Sequence, residues 1–310
     1  MSVPASGSRR LGYRLAGRRL DYLLHLRPAE WPIMAAHTAL GYVLAVGVAG
    51  AGQGVAGGAA FAGLVLWVLC LNGGTLAINS AFDQDEGDIA YLRRPPPPPR
   101  HLFAFGLALM LAGLAGAAAL PLAYLAAYAI CFAMSVAYSV PPMRLKAVAG
   151  ADWVINMLGF GTLTPVAGWA ATGRPFDATH AIVLAAFCPL FAALYPLTQL
   201  YQLEEDARRG DRTLAVRLGV VTSLSVAIAA AAVAFALLTL AAIRSAWPTT
   251  GGAAWRWAAL CAAAAAWAAV LVPWRIRARS LGPPEHQRGM YWALGAWALT
   301  DLAVAAVWAT

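Results

Sequence analysis

The stretch GAAFAGLVLWVLCLNGGTLAINSAFDQDEGD, residues 58–88, sets the reading of the whole chain. Its first 25 residues carry no charge, and its last six hold four acids, Asp83, Asp85, Glu86 and Asp88. An apolar run of about 20 residues, rising 1.5 Å each, crosses the hydrocarbon of a bilayer as a helix. This one leaves the hydrocarbon directly into a cluster of carboxylates.

The rest of the 310 residues follows the same pattern. The composition is 61% apolar and only 12% charged, with a mean hydropathy of +0.65, too little polar surface to cover a soluble globule. Apolar runs of spanning length fall near 31–50, 58–79, 101–119, 122–140, 153–172, 181–200, 220–243, 253–274 and 290–309. The expected fold class is therefore an all-α integral membrane protein with about nine transmembrane helices. Residues 1–30 would form a basic N-terminal arm and residues 31–310 a single polytopic domain.

Because Lys and Arg are retained on the cytoplasmic side, the basic residues orient this topology. With the N-terminus inside, 19 of the 22 fall in cytoplasmic segments, and only Arg174, Arg244 and Arg256 lie outside. The C-terminus is then external. The net charge of +8 reflects loops beside an anionic leaflet, with membrane lipid as the partner, and does not point to nucleic acid. Cys70, Cys131, Cys188 and Cys261 stand singly inside expected spans, with neither CxxC nor His spacing, which argues against a disulfide framework or a zinc site.

A second acidic cluster, YQLEEDARRGDRTLAVRLG, occupies residues 201–219. At an offset of 123 residues, Thr75, Asn79, Asp83, Gly87 and Asp88 fall on Thr198, Gln202, Asp206, Gly210 and Asp211, and Arg94 falls on Arg217. Two four-helix halves plus one extra helix account for the spacing, and internal repeats with a site between them are common in membrane proteins. On a helix, positions four apart drift only about 40° per step, so Asn79 and Asp83 share a face with Thr75. Gly87 and Gly210 would each end a helix in a left-handed turn and re-aim the aspartate that follows.

Converging carboxylates and amides are hard oxygen donors, the kind Mg²⁺ takes while sharing the ion with substrate phosphates. The candidate metal ligands are Asp83, Asp88, Asp206, Asp211, Asn79, Gln202 and Glu204. A third loop on the same side, YSVPPMRLKAVAGADW (138–153), presents Arg144, Asp152 and Lys146, the only lysine in the chain. Arg144 and Lys146, with Arg94 and Arg212, are candidates for phosphate oxygens that a metal leaves free. Together these loops read as a diphosphate cradle.

At these residues the chain resembles the UbiA superfamily of intramembrane prenyltransferases. The resemblance rests on Asn79, Asp83 and Asp88, on Glu204 to Asp211 with the tail Thr213 to Gly219, on Tyr138 to Lys146, and on Leu26 to Trp31. It implies ionisation of a polyprenyl diphosphate and transfer of the prenyl group to an aromatic or other lipophilic acceptor. Asp83, Asp88, Asp206, Asp211 and Tyr138 would be catalytic, Mg²⁺ would be the cofactor, and the site would face the cytoplasm of a bacterial-type membrane. The paired aspartates are five apart here rather than the family's four, with Gly87 and Ala207 where carboxylates are expected and Asp85, Glu86, Glu204 and Glu205 as substitutes.

Two other outcomes stay open: cyclisation of the ionised chain, as in the membrane terpene cyclases of that superfamily, and carriage of a cation or lipid through an acidic transport site. A cation formed in the membrane needs an apolar, aromatic cavity, for which Tyr138, Trp153, Tyr195 and Tyr201 are candidates. Asp301, costly in hydrocarbon, is either a functional acid or a residue at the outer end of its helix reaching water. Pro95 to Pro99 cannot form a helix and serve as a lid strut or a spacer. Chain length, acceptor and oligomeric state are not legible in the sequence.

Overall fold

The computed structural model of the chain describes residues 7–51, 54–83, 92, 95–210 and 212–310, and among these it is all-helical, with no strand. Two short helices, α1 (Gly7–Ala16) and α2 (Arg19–His25), form the arm. The first half continues with α3 (Trp31–Val46), then α4 (Gly54–Val65), which runs through a π-helical stretch, Leu66–Asn72, into α5 (Gly73–Asp83). Next come α6 (Leu102–Ala117) and α7 (Leu122–Ser139). The second half opens with α8 (Ala151–Asn156), a second π-helical stretch, Met157–Leu163, and α9 (Thr164–Ala170). It goes on through α10 (Ala178–Gln199), α11 (Leu203–Arg209) and α12 (Leu214–Arg244), and the chain ends with α13 (Trp255–Arg277) and α14 (Pro283–Trp308).

Among the described residues six helical segments are long and apolar enough to cross a membrane: Gly57–Asp83, Leu122–Ser139, Ala178–Gln199, Leu214–Arg244, Gly251–Ser280 and Pro283–Trp308. The chain is thus a multi-pass membrane protein. The other three expected spans fall on α3, on α6 and on the segment from α8 to α9, and their crossing belongs to the proposal below.

Lipid tails are as apolar as leucine, so helices in a bilayer associate where small residues let backbones approach. A Cβ on Gly41 of α3 would collide with the Pro165 carbonyl of α9, and one on Gly168 with the Thr38 carbonyl of α3. Gly74 and Gly106 do the same between α5 and α6. Exposed Phe61, Val233 and Leu240, inside long apolar helices, are the outward-facing counterpart of this packing.

Prolines inside helices free carbonyls that side chains then use. Pro165 has no N–H for Gly161, four residues earlier, and the Gly161 carbonyl instead accepts from His37 Nε2 at 3.2 Å. Pro196 likewise releases Ala192, whose carbonyl accepts from Trp153 Nε1 at 2.9 Å. That bond turns Trp153 to packing rather than to the cation-shielding role expected of it. The four cysteines are free thiols. Pro95–Pro99 is non-helical as expected, and buried His25 of the arm donates through Nε2 to Pro96 O at 3.1 Å.

Candidate active site

The first repeat lies as its spacing implies. Thr75, Asn79 and Asp83 share α5, with Thr75 Oγ1 2.8 Å from both Leu71 O and Ser135 Oγ. Thr75 and Asn79 line a partly open cavity of about 330 Å³, and Asp83 ends the helix with its carboxylate 13% exposed. Asp83 Oδ1 pairs with Lys146 Nζ and lies 3.8 Å from Arg144 Nη2. The two cations expected to meet phosphate therefore meet the first acid motif. The loop achieves this by a costly turn: Arg144 sits at φ +35°, a region that side chains avoid. Lys146 is only 9% exposed, and an ammonium this enclosed requires a counter-charge.

The second repeat departs from a single helical face. Helix α10 stops at Gln199, Leu200 to Gln202 form a turn, and α11 restarts at Leu203, so Thr198, Gln202 and Asp206 do not lie along one helix. Gln202 precedes α11 without a side-chain capping bond. Asp206 is buried at 7% exposure, whereas Glu204 is exposed. Gly210 has φ +78° at the C-terminus of α11, the left-handed stop expected of it. Arg212 is exposed, and its backbone bridges to Val148, which docks the end of the second acid loop on the Lys146 loop. Asp88, Arg94 and Asp211 lie outside the described residues, as do Asp85, Glu86 and Gly87.

The cavity draws on both halves. Thr75, Asn79 and Tyr138 line it from the first, Thr198, Tyr195 and Tyr201 from the second. Trp67, Phe160, Phe191 and Trp297 add an aromatic wall. Arg27 and Glu30 also line it, 3.6 Å apart. Burial raises the Glu30 carboxyl above the usual range, partly offset by Arg27. Burial also pushes Tyr201 up to about 12, so this phenol stays neutral and able to donate at physiological pH.

Sequence reasoning placed Asp152 on an open loop beside Arg144 and Lys146, but its side chain is fully enclosed. It accepts from Gly150 N at 2.9 Å, Leu214 N at 3.2 Å and Gln199 Nε2 at 3.2 Å. Gln199 went unnoticed, as did His37, whose Nδ1 lies 3.1 Å from Asp301 Oδ2. Asp301 is thus tied to a buried histidine, which neither reading of it anticipated. The signal for both missed residues was present: a polar side chain inside an expected span is expensive and has a partner.

Comparison with known proteins agrees with this architecture. The UbiA prenyltransferase family model matches residues 40–295, and the chain belongs to that family. A UbiA homologue from Archaeoglobus fulgidus bound to GPP and Mg²⁺ is similar at 19% identity and TM-score 0.64, over 93% of this chain and 100% of that one. The same homologue bound to DMAPP and Mg²⁺ gives TM-score 0.65 over 93% and 99%. A structure of digeranylgeranylglyceryl phosphate synthase gives 14% identity and TM-score 0.68, over 94% of this chain and 98% of that one. These likenesses concern the fold. No curated protein matches the chain in sequence.

Proposed function

We propose that the protein is a Mg²⁺-dependent intramembrane prenyltransferase that ionises a polyprenyl diphosphate and passes the prenyl group to a lipophilic acceptor. The observation that carries this reading is the Asp83, Lys146 and Arg144 cluster on the α5 face whose Thr75 and Asn79 line an apolar, aromatic cavity. Polar charge at one end and a hydrocarbon-sized void beyond it match an amphiphile with a diphosphate head. The A. fulgidus homologue bound to GPP and Mg²⁺ lends the same chemistry support.

The donors fit magnesium in kind: the Asn79 amide and the Asp83 and Asp206 carboxylates are hard oxygens. Among the described residues no three Asp, Glu, His or Cys side chains come together, and of the candidate ligands Asp83 is nearly buried and Asp206 buried. Asp88 and Asp211 are proposed as the second acid of each half, Gln202 as a weaker donor. When bound, magnesium would neutralise the diphosphate and stabilise its departure.

The chain's own residues do the rest. Lys146 and Arg144 turn from Asp83 to the diphosphate oxygens, with Arg212 and Arg94 at the rim. The carbon–oxygen bond breaks with both electrons leaving on the diphosphate. The allylic cation is held among the cavity's aromatic faces, away from water. The acceptor's electron pair then forms the new bond and the acceptor loses a proton. Incubating the purified protein with C10 to C20 allylic diphosphates and Mg²⁺ tests this reading: diphosphate release that stops in EDTA is expected, and release unaffected by EDTA would remove it. A cyclic terpene without any acceptor would assign the cyclase reading.

The topology proposed is nine spans, N-terminus in and C-terminus out, with the site toward the cytoplasm. Single cysteines introduced in loops 141–150 and 275–282 are expected to react with an impermeant reagent from inside, and those in 173–177 and 245–252 only from outside. Labelling of 173–177 from inside alone would overturn it.

A further inference from the structure

The amide of Gln199 has only one orientation. Ala215 N–H donates to its Oε1 at 3.3 Å, so the opposite atom, Nε2, faces Asp152 Oδ2 at 3.2 Å and the Tyr195 hydroxyl at 3.0 Å. Asp152 confirms that assignment chemically, because its carboxylate already accepts from Gly150 and Leu214 N–H groups and needs another donor, which only the NH₂ side supplies. With one amide proton given to Asp152 and the other to Tyr195, the Tyr195 oxygen is an acceptor. Its own proton must go elsewhere, and the Tyr138 oxygen stands 3.0 Å away. Tyr138 is then left with one proton to give, and both rings line the cavity.

We infer that Gln199 and Asp152 are positioning residues that make Tyr138 a hydrogen-bond donor toward the departing oxygen of the substrate. The chain of donation runs Gln199 to Tyr195 to Tyr138. Tyr138 is one residue from the C-terminus of α7, and the loop after it carries Arg144 and Lys146 back to Asp83, at the height where a diphosphate would sit. A donor aimed where negative charge develops acts only as the bond breaks. Asp152 adds a second link: through Gly150 it holds the base of the Lys146 loop, and through Leu214 the start of α12. Diphosphate loop and tyrosine pair are thereby set by one buried carboxylate. This inference rests on the proposed function above.

The test is a double-mutant cycle on the full-length protein in detergent, with geranyl diphosphate and Mg²⁺. Tyr138→Phe is expected to lower kcat about a hundredfold and Gln199→Met about tenfold or more, with KM for the diphosphate changed less than about threefold. The double variant should be no slower than Tyr138→Phe alone, since Gln199 acts through that hydroxyl. Losses that multiply, or a Gln199→Met protein with wild-type kcat, overturn the inference. If Gln199→Met does not fold, Tyr195→Phe removes the relayed proton and leaves the Gln199–Asp152 contact. Its kcat must fall likewise, and a wild-type kcat overturns the relay. Asp152→Asn is expected to raise KM for the diphosphate, because the Lys146 loop loses its anchor, and an unchanged KM overturns that part. A wild-type protein that turns over no allylic diphosphate overturns the functional reading and this inference with it, whereas an active wild type beside an unaffected Gln199→Met overturns the inference alone.

Discussion

Asp83→Asn and Asp206→Asn are each expected to lower diphosphate release by about a thousandfold, read as pyrophosphate released from geranyl diphosphate under saturating Mg²⁺. Asparagine keeps the shape of the side chain and one oxygen, so the loss is one of charge at the two buried or nearly buried acids. A melting temperature taken beside turnover separates a structural effect from a chemical one. Asp83 is a counter-charge of Lys146, which is 9% exposed, and taking a carboxylate from an ion pair this enclosed is destabilising. Asp83→Asn is therefore expected to lower the melting temperature in detergent. Turnover within tenfold of wild type in either variant would exclude that carboxylate from the site.

Much of this was legible in the amino acids because a bilayer narrows the choices. An uncharged run of spanning length can only be a helix or a closed barrel strand set, and the run that ends at Asp83 is a helix to that residue. The one-face reading of Thr75, Asn79 and Asp83 needed nothing beyond 3.6 residues per turn. The argument does not extend to the second half, because periodicity cannot see a helix that stops and restarts. Leu200 to Gln202 contain no glycine or proline to mark the turn. Residues far apart in the chain were the least accessible. Asp152 meets Gln199 across 47 positions and His37 meets Asp301 across 264, and no local pattern encodes either contact.

Lys146→Met gives the second large effect, and its direction differs between two measurements on one protein. Turnover is expected to fall by about a thousandfold, because the lysine is the most enclosed cation of the site among the described residues and methionine offers no charge to a departing diphosphate. Metal binding without substrate moves the other way. The lysine ammonium and a divalent cation compete for the same Asp83 oxygen, and like charges beside one carboxylate oppose each other. Removing the ammonium should tighten Mn²⁺, a stand-in for magnesium visible by electron paramagnetic resonance, by about tenfold when no diphosphate is present. In wild type a diphosphate draws Lys146 away from Asp83, so Mn²⁺ and an unreactive diphosphate analogue should each strengthen binding of the other, and in Lys146→Met that mutual gain should shrink. Mn²⁺ affinity that falls in Lys146→Met would mean the lysine holds the acid loop in shape and does not compete for Asp83. Arg144, at 39% side-chain exposure and 3.8 Å from the same carboxylate, should show both effects in weaker form on Arg144→Met, since water already screens much of its charge.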